Sequence, residues 1–361
     1  MVEKMHFLIR HTLFALLIFF SFAGLARAQD QASVAALERG FELMRAGDWD
    51  EAVAAAGPPG SVARDILQWN RLRASKGSFA EAVDFLAHRS DWPGLKLLRK
   101  RAEKTIPDDA SAALVLDFFL QQKPQTGWGT LAFARALWST GAKQEAMAEA
   151  IRGWTNYSLS QEEEDQFMVD WPKTLARHHW ARMDMLLWAG LTDQAKRQLA
   201  RVDDAHKALA NARIALREEK DGVDALISHV PAALADDPGL AYERFAWRAR
   251  KGRNDSAIEL LLARSGSKSG LGKPTRWADW RIDLARWAMR EGKARTAYQV
   301  AAHHHIAEGA DRNALEWLAG YIALRKIGDA QTALGHFRAH KSGVQSPISL
   351  ARGGYWEGRA L

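Results

Sequence analysis

RWADWRIDLARWAMREGKARTAYQVAAHH, Arg276 to His304, is the stretch on which the fold turns. Its first half sets Trp277, Trp280, Leu284 and Trp287 at i, i+3, i+7 and i+10, the spacing of one face of an α-helix, with Arg276, Arg281, Arg286 and Arg290 along its edges. Gly292 interrupts the pattern, and five residues later Ala297 opens a second apolar-periodic run. Glycine takes the left-handed conformation that ends a helix, because it has no Cβ to clash. An alanine five residues on falls where two antiparallel helices come closest, so that only a small side chain fits. The unit is a helix, a glycine turn and a helix.

The same pair recurs along the chain as Gly47/Ala52, Gly77/Ala82, Gly141/Ala146, Gly190/Ala195, Gly252/Ala257 and Gly328/Ala333. Successive glycines lie 30, 64, 49, 62, 40 and 36 residues apart, and a degenerate turn around Gly222 would divide one of the long intervals. Alternating β-branched runs are missing, while Ala, Leu, Arg and Glu at helical spacing fill the segments between turns. The pattern predicts an all-α fold, a right-handed superhelix (α-solenoid) of stacked irregular hairpins of roughly 30 to 40 residues. SGSKSGLGKP, Ser265 to Pro274, reads as the clearest loop. It divides an array over 29–264 from a more strongly patterned block over 275–361.

The chain's 361 residues are 47% hydrophobic, enough for a core, and the 26% charged fraction gives no sign of disorder. Lys4, Arg10, the apolar run TLFALLIFFSFA and the small-x-small pattern Ala26-Arg27-Ala28 read as a signal peptide cleaved after Ala28. The run is shorter than the roughly 20 residues a spanning helix needs, so no lasting membrane anchor is expected. With no cysteine anywhere, disulfide staples and thiol catalysis are excluded, and the periplasm is the compartment that fits. Without residues 1–28 the net charge falls from +7 to +5, mild enough to suit an anionic polymer and too weak for a nucleic-acid stripe.

Two further strings, with the opening stretch, carry a resemblance. The opening stretch is followed by EWLAGYIALRKIGDAQTALGHF and then by VQSPISLARGGYWEGRA. Together they resemble the superhelical region of the soluble lytic transglycosylases of bacterial cell walls, through Arg281, Arg286, Ala297, Tyr298, Trp317, Gly320, Leu324, Arg325, His336 and Phe337. The last string adds Pro347, Ile348, Ser349, Arg352, Tyr355, Trp356, Gly358, Arg359 and Ala360. The likeness is close from about Asp170 onward; over 29–170 it rests on the hairpin pattern alone. It implies a ring-forming, non-catalytic scaffold of an enzyme that cleaves MurNAc-GlcNAc β-1,4 bonds while closing a 1,6-anhydro ring. It also implies weak binding of peptidoglycan glycan strands, other cell-wall enzymes as partners, no nucleic acid, no cofactor and a monomer.

In that family a lysozyme-like catalytic domain follows the last string, announced by Glu-Ser and Gly-Leu-Met-Gln. Neither motif occurs here, so no residue is assigned a catalytic role, and the chain is read as the superhelical part without that domain. The alternative is a stand-alone periplasmic repeat scaffold that binds a protein or glycan partner. The acidic run Glu162–Asp165 reads as the first turn of a helix, with Ser160 and Glu163 as a capping box. His303, His304 and His305, and likewise His178 and His179, would point about 100° apart on a helix and cannot converge on one ion, so no metal site is expected. Trp277, Trp280 and Trp287 with Arg281 and Arg286 are the candidate glycan contacts, since indole faces stack on sugars and guanidinium groups pair with peptide carboxylates. The competing reading is a packing stripe sealed by arginine stems.

Overall fold

The computed structural model describes residues 33–361; the segment read as a signal peptide lies outside them. Among the described residues every regular element is helical and no strand occurs. No helix there is long and apolar enough to cross a membrane. The chain divides into two compact units, the first ending at Leu175 and the second running Ala176–Leu361. The Ser265–Pro274 segment therefore lies within the second unit. It is also not a plain loop: Lys268–Leu271 forms a helical turn, Pro274–Trp277 a 3-10 turn, and Leu271 is buried.

Local sequence explains the hairpins. Six of the seven glycines have φ between 69° and 98°, the left-handed region. The exception is Gly77, where Ser75 takes the positive φ of 61° instead. A Cβ at Gly77 would sit 2.5 Å from Leu72 Cδ2, so this glycine answers to space and not to backbone conformation. All seven alanines are 0 or 1% exposed, as the close approach of paired helices requires.

In the first unit, Gly127–Ser139 pairs with Lys143–Asn156, and their shared core holds Leu131, Ala146, Ala150, Trp154 and Phe167. The acidic run is a capping box as expected: Ser160 Oγ accepts the Glu163 N–H at 3.2 Å, and a Glu163 oxygen accepts the Ser160 N–H at 2.8 Å. The same carboxylate accepts the Trp128 N–H at 3.0 Å, tying this cap to the neighbouring helix start.

In the second unit the packed succession is Ala278–Arg290, Ala294–Ala302, Ala310–Ile322, Ala330–Ser342 and Pro347–Ala360. Ala310–Ile322 passes into a π-helical turn, Ala323–Ile327, before the Gly328 turn. The final helix opens with Pro347 at its first position, and Ser346 Oγ accepts the Ser349 N–H. Ile348, Leu350 and Tyr355 on that helix are exposed.

Candidate functional site

The tryptophan stripe does not stay on one face. Trp277 closes the 3-10 turn that precedes the helix Ala278–Arg290, so the helical register begins one residue too late to include it. It is fully buried, its indole N–H donates to the Leu271 carbonyl at 2.9 Å, and its ring stacks on Phe245 at 4.7 Å. Arg281 is likewise 0% exposed; its guanidinium donates to the Val300 carbonyl at 2.8 Å and to Ser265 Oγ at 2.5 Å, and burial pushes its pKa down. Trp277 and Arg281 are interior groups that no polymer can reach, and as glycan contacts they are corrected here.

Trp280, Trp287 and Arg286 stay accessible. Trp280 and Trp287 pack against the core and are half-buried, while Arg286, Asp283 and Arg290 are exposed around them. The two indoles sit seven residues apart, a rise of about 10.5 Å along the helix. Lys293 Nζ lies 4.8 Å from the Trp287 ring centroid and is held by Asp255. A pair of half-buried indoles flanked by Arg286, Arg290 and Lys293 is chemically suited to sugar faces with carboxylates nearby.

A second feature of this unit brings together residues far apart in sequence. Tyr298 Oη lies 3.1 Å from His336 Nε2, and His336 Nδ1 lies 2.7 Å from Glu316 Oε2. The other oxygen of Glu316 meets His304 Nε2 at 3.3 Å. His304 Nδ1 accepts the Ile306 N–H at 3.0 Å, which puts that ring's proton on Nε2, facing the carboxylate. Hydrogen bonds from the two imidazoles overcome burial and bring the Glu316 carboxyl down to about 2. Burial, with Asp329 and Glu316 nearby, raises the Tyr298 hydroxyl. A carboxylate held ionised in this way cannot serve as a general acid near neutral pH. What it does is join Ala310–Ile322 to Ala330–Ser342 through one half-buried charge, and through His336 and Tyr298 to Ala294–Ala302.

The resemblance strings meet around this network. A Cβ at Gly320 would lie 2.8 Å from the Phe337 ring, so the helix can accept Phe337 only with glycine there. Phe337 stacks on Trp356 at 5.8 Å, Trp356 meets Trp317 edge-on at 6.1 Å, and the Arg352 guanidinium lies over Trp317 at 5.6 Å. Tyr298 and His336, from separate strings, are hydrogen-bonded to each other. Glu316 and His304 escaped the sequence reading. Glu316 opens the second quoted string but was given no role, and His304 was read as one of three helical residues, whereas the helix ends at Ala302 and His305 takes φ 54°. Among the described residues no group of three His, Asp or Glu side chains is arranged to hold a metal ion.

Other buried acids serve as anchors. Glu103 accepts the Gln125 N–H at 2.9 Å and the Thr126 hydroxyl at 2.7 Å at the start of Gly127–Ser139, and burial raises its carboxyl. Glu243, also raised by burial, is held by Arg217. Compared with protein-family models, with curated proteins and with solved structures, the chain matches none of them, and the likeness to lytic transglycosylases rests on the quoted residues alone.

Proposed function

We propose that this chain is a non-catalytic helical-repeat scaffold of the lytic-transglycosylase type, its hairpins stacked as an α-solenoid in the periplasm, that holds peptidoglycan glycan strands through the accessible parts of Trp280 and Trp287. The observation that carries the reading is the mutual contact of the strings on which the resemblance rests: Tyr298 with His336, Phe337 with Trp356, and Trp317 with Trp356 and Arg352. Residues drawn from separate strings of the pattern make one connected cluster, as expected of a shared fold. The half-buried indole pair, with Arg286, Arg290 and Lys293, supplies the glycan-binding chemistry. Cleavage of the strand is assigned to no residue of this chain: Glu316 is held ionised, and Glu103 and Glu243 are tied to backbone and arginine partners.

Co-sedimentation with purified sacculi across a salt series tests the reading. Weak retention that falls as salt rises through the physiological range is expected, since a few exposed cations face a polymer bearing carboxylates. Retention indistinguishable from that of a protein of similar charge without the indole pair would remove the glycan assignment.

A further inference from the structure

The first unit contains a cleft of about 240 Å³ that the function above does not use. Ala110, Ala112, Ala132 and Ala136 form walls of small side chains, with Val115 and Trp128 supplying larger apolar surface. Its size is below the roughly 300 Å³ at which ordinary ligand pockets begin, so it suits a small molecule. Lys104, Arg135 and Asp108 line it as well.

Arg135 is held from one side and loosely occupied on the other. Its Nε donates to Asp170 Oδ2 at 2.6 Å, and the second oxygen of Asp170 accepts from Gln166 at 2.8 Å, so the guanidinium is fixed in direction. Its Nη1 reaches Asp108 Oδ1 at 3.2 Å, yet the Asp108 side chain is 96% exposed. An ion pair of that kind contributes little and exchanges readily with another anion. Glu103 in the wall has its oxygens engaged by Gln125 and Thr126 and is turned to that helix start.

We propose that this cleft binds a small monocarboxylate with a compact apolar body, the ligand's carboxylate replacing Asp108 on Arg135 and its apolar part lying against Trp128 and the alanine walls. Either a free acid or the C-terminal residue of a peptide presents this chemistry. Isothermal titration of the whole protein with phenylacetate, with 2-phenylethanol as the neutral counterpart, and with N-acetyl-trialanine tests the proposal and distinguishes the two sources. At least one of the two acids should bind, and phenylacetate should exceed 2-phenylethanol by about tenfold, the size of one charge-assisted contact. Tighter binding of the peptide assigns the site to chain ends; tighter binding of phenylacetate assigns it to free acids. Asp108→Asn, on a fully exposed side chain, should strengthen acid binding several-fold without moving the melting transition, and Ala132→Leu should abolish it. Failure of both acids to bind, measurable binding of phenylacetate no tighter than that of its alcohol, or an Asp108→Asn affinity for the bound acid equal to wild type would overturn the proposal. None of these results bears on the indole pair of the second unit.

Discussion

Glu316 shows what a single half-buried charge does in a fold built of helices. Its carboxyl sits at about 2, below its ordinary value of 4.5, so the folded state holds its proton less tightly than the unfolded chain. The stabilisation is fully present above about pH 4.5 and is lost as pH falls toward 2. A shift of that size corresponds to about 3 kcal/mol at its upper bound. Glu316→Gln should therefore cost about 2 kcal/mol at neutral pH, one hydrogen bond being retained, and thermal melts should bring variant and wild type together between pH 4.5 and 2. A constant difference across that window would show that the charge is not responsible. Gly320→Ala is the steric counterpart: a methyl placed 2.8 Å from a fully buried phenyl ring should cost about 1 to 3 kcal/mol by denaturant melts. Little of this was legible beforehand. Tyr298 and His336 are named by the resemblance, but the hydrogen bond between them spans 38 residues, and nothing in the spacing of Glu316 marks it as the group they share.

Helical hairpins were legible because their determinants are local. Glycine and the alanine five residues later report a turn and a close approach that depend on no distant partner, and at six sites both features are present. The two roles separate by mutation. Gly252→Ala meets no atom within 4 Å but must adopt φ of +69°, and should cost about 1 kcal/mol from backbone strain alone. Ala257→Leu, at a site 0% exposed, should cost about 1 to 3 kcal/mol through overpacking. Equal and negligible effects in urea melts would contradict the assignment of the pair. What periodicity could not give was the direction of the tryptophan stripe. A spacing of three and seven says that residues share a face when they share a helix, and Trp277 lies one residue before the helix starts. Arg281 points inward for the complementary reason: it lies between Trp280 and Leu284 in sequence but finds the Val300 carbonyl and Ser265 in the core.

At the scale of the whole molecule, all-helical architecture followed from composition and period. The two compact units did not, since the division at Leu175 carries no run of Gly, Pro or Ser, whereas the Ser265–Pro274 stretch that reads as a linker packs Leu271 and Pro274 into the second unit. Burial there needs no alternation or helical period in the sequence, only neighbours such as Trp188 and Phe245 that are close in space. The central claim is that Trp280 and Trp287 bind glycan while Trp277 holds the core. Its most direct test is sacculus co-sedimentation paired with thermal melts of the Trp280→Ala/Trp287→Ala double variant and of Trp277→Ala. The account predicts that the double variant melts as a folded protein within about 2 kcal/mol of wild type and is no longer retained by sacculi, whereas Trp277→Ala loses about 3 to 5 kcal/mol. A double variant that remains folded and sediments with sacculi as wild type does would contradict it.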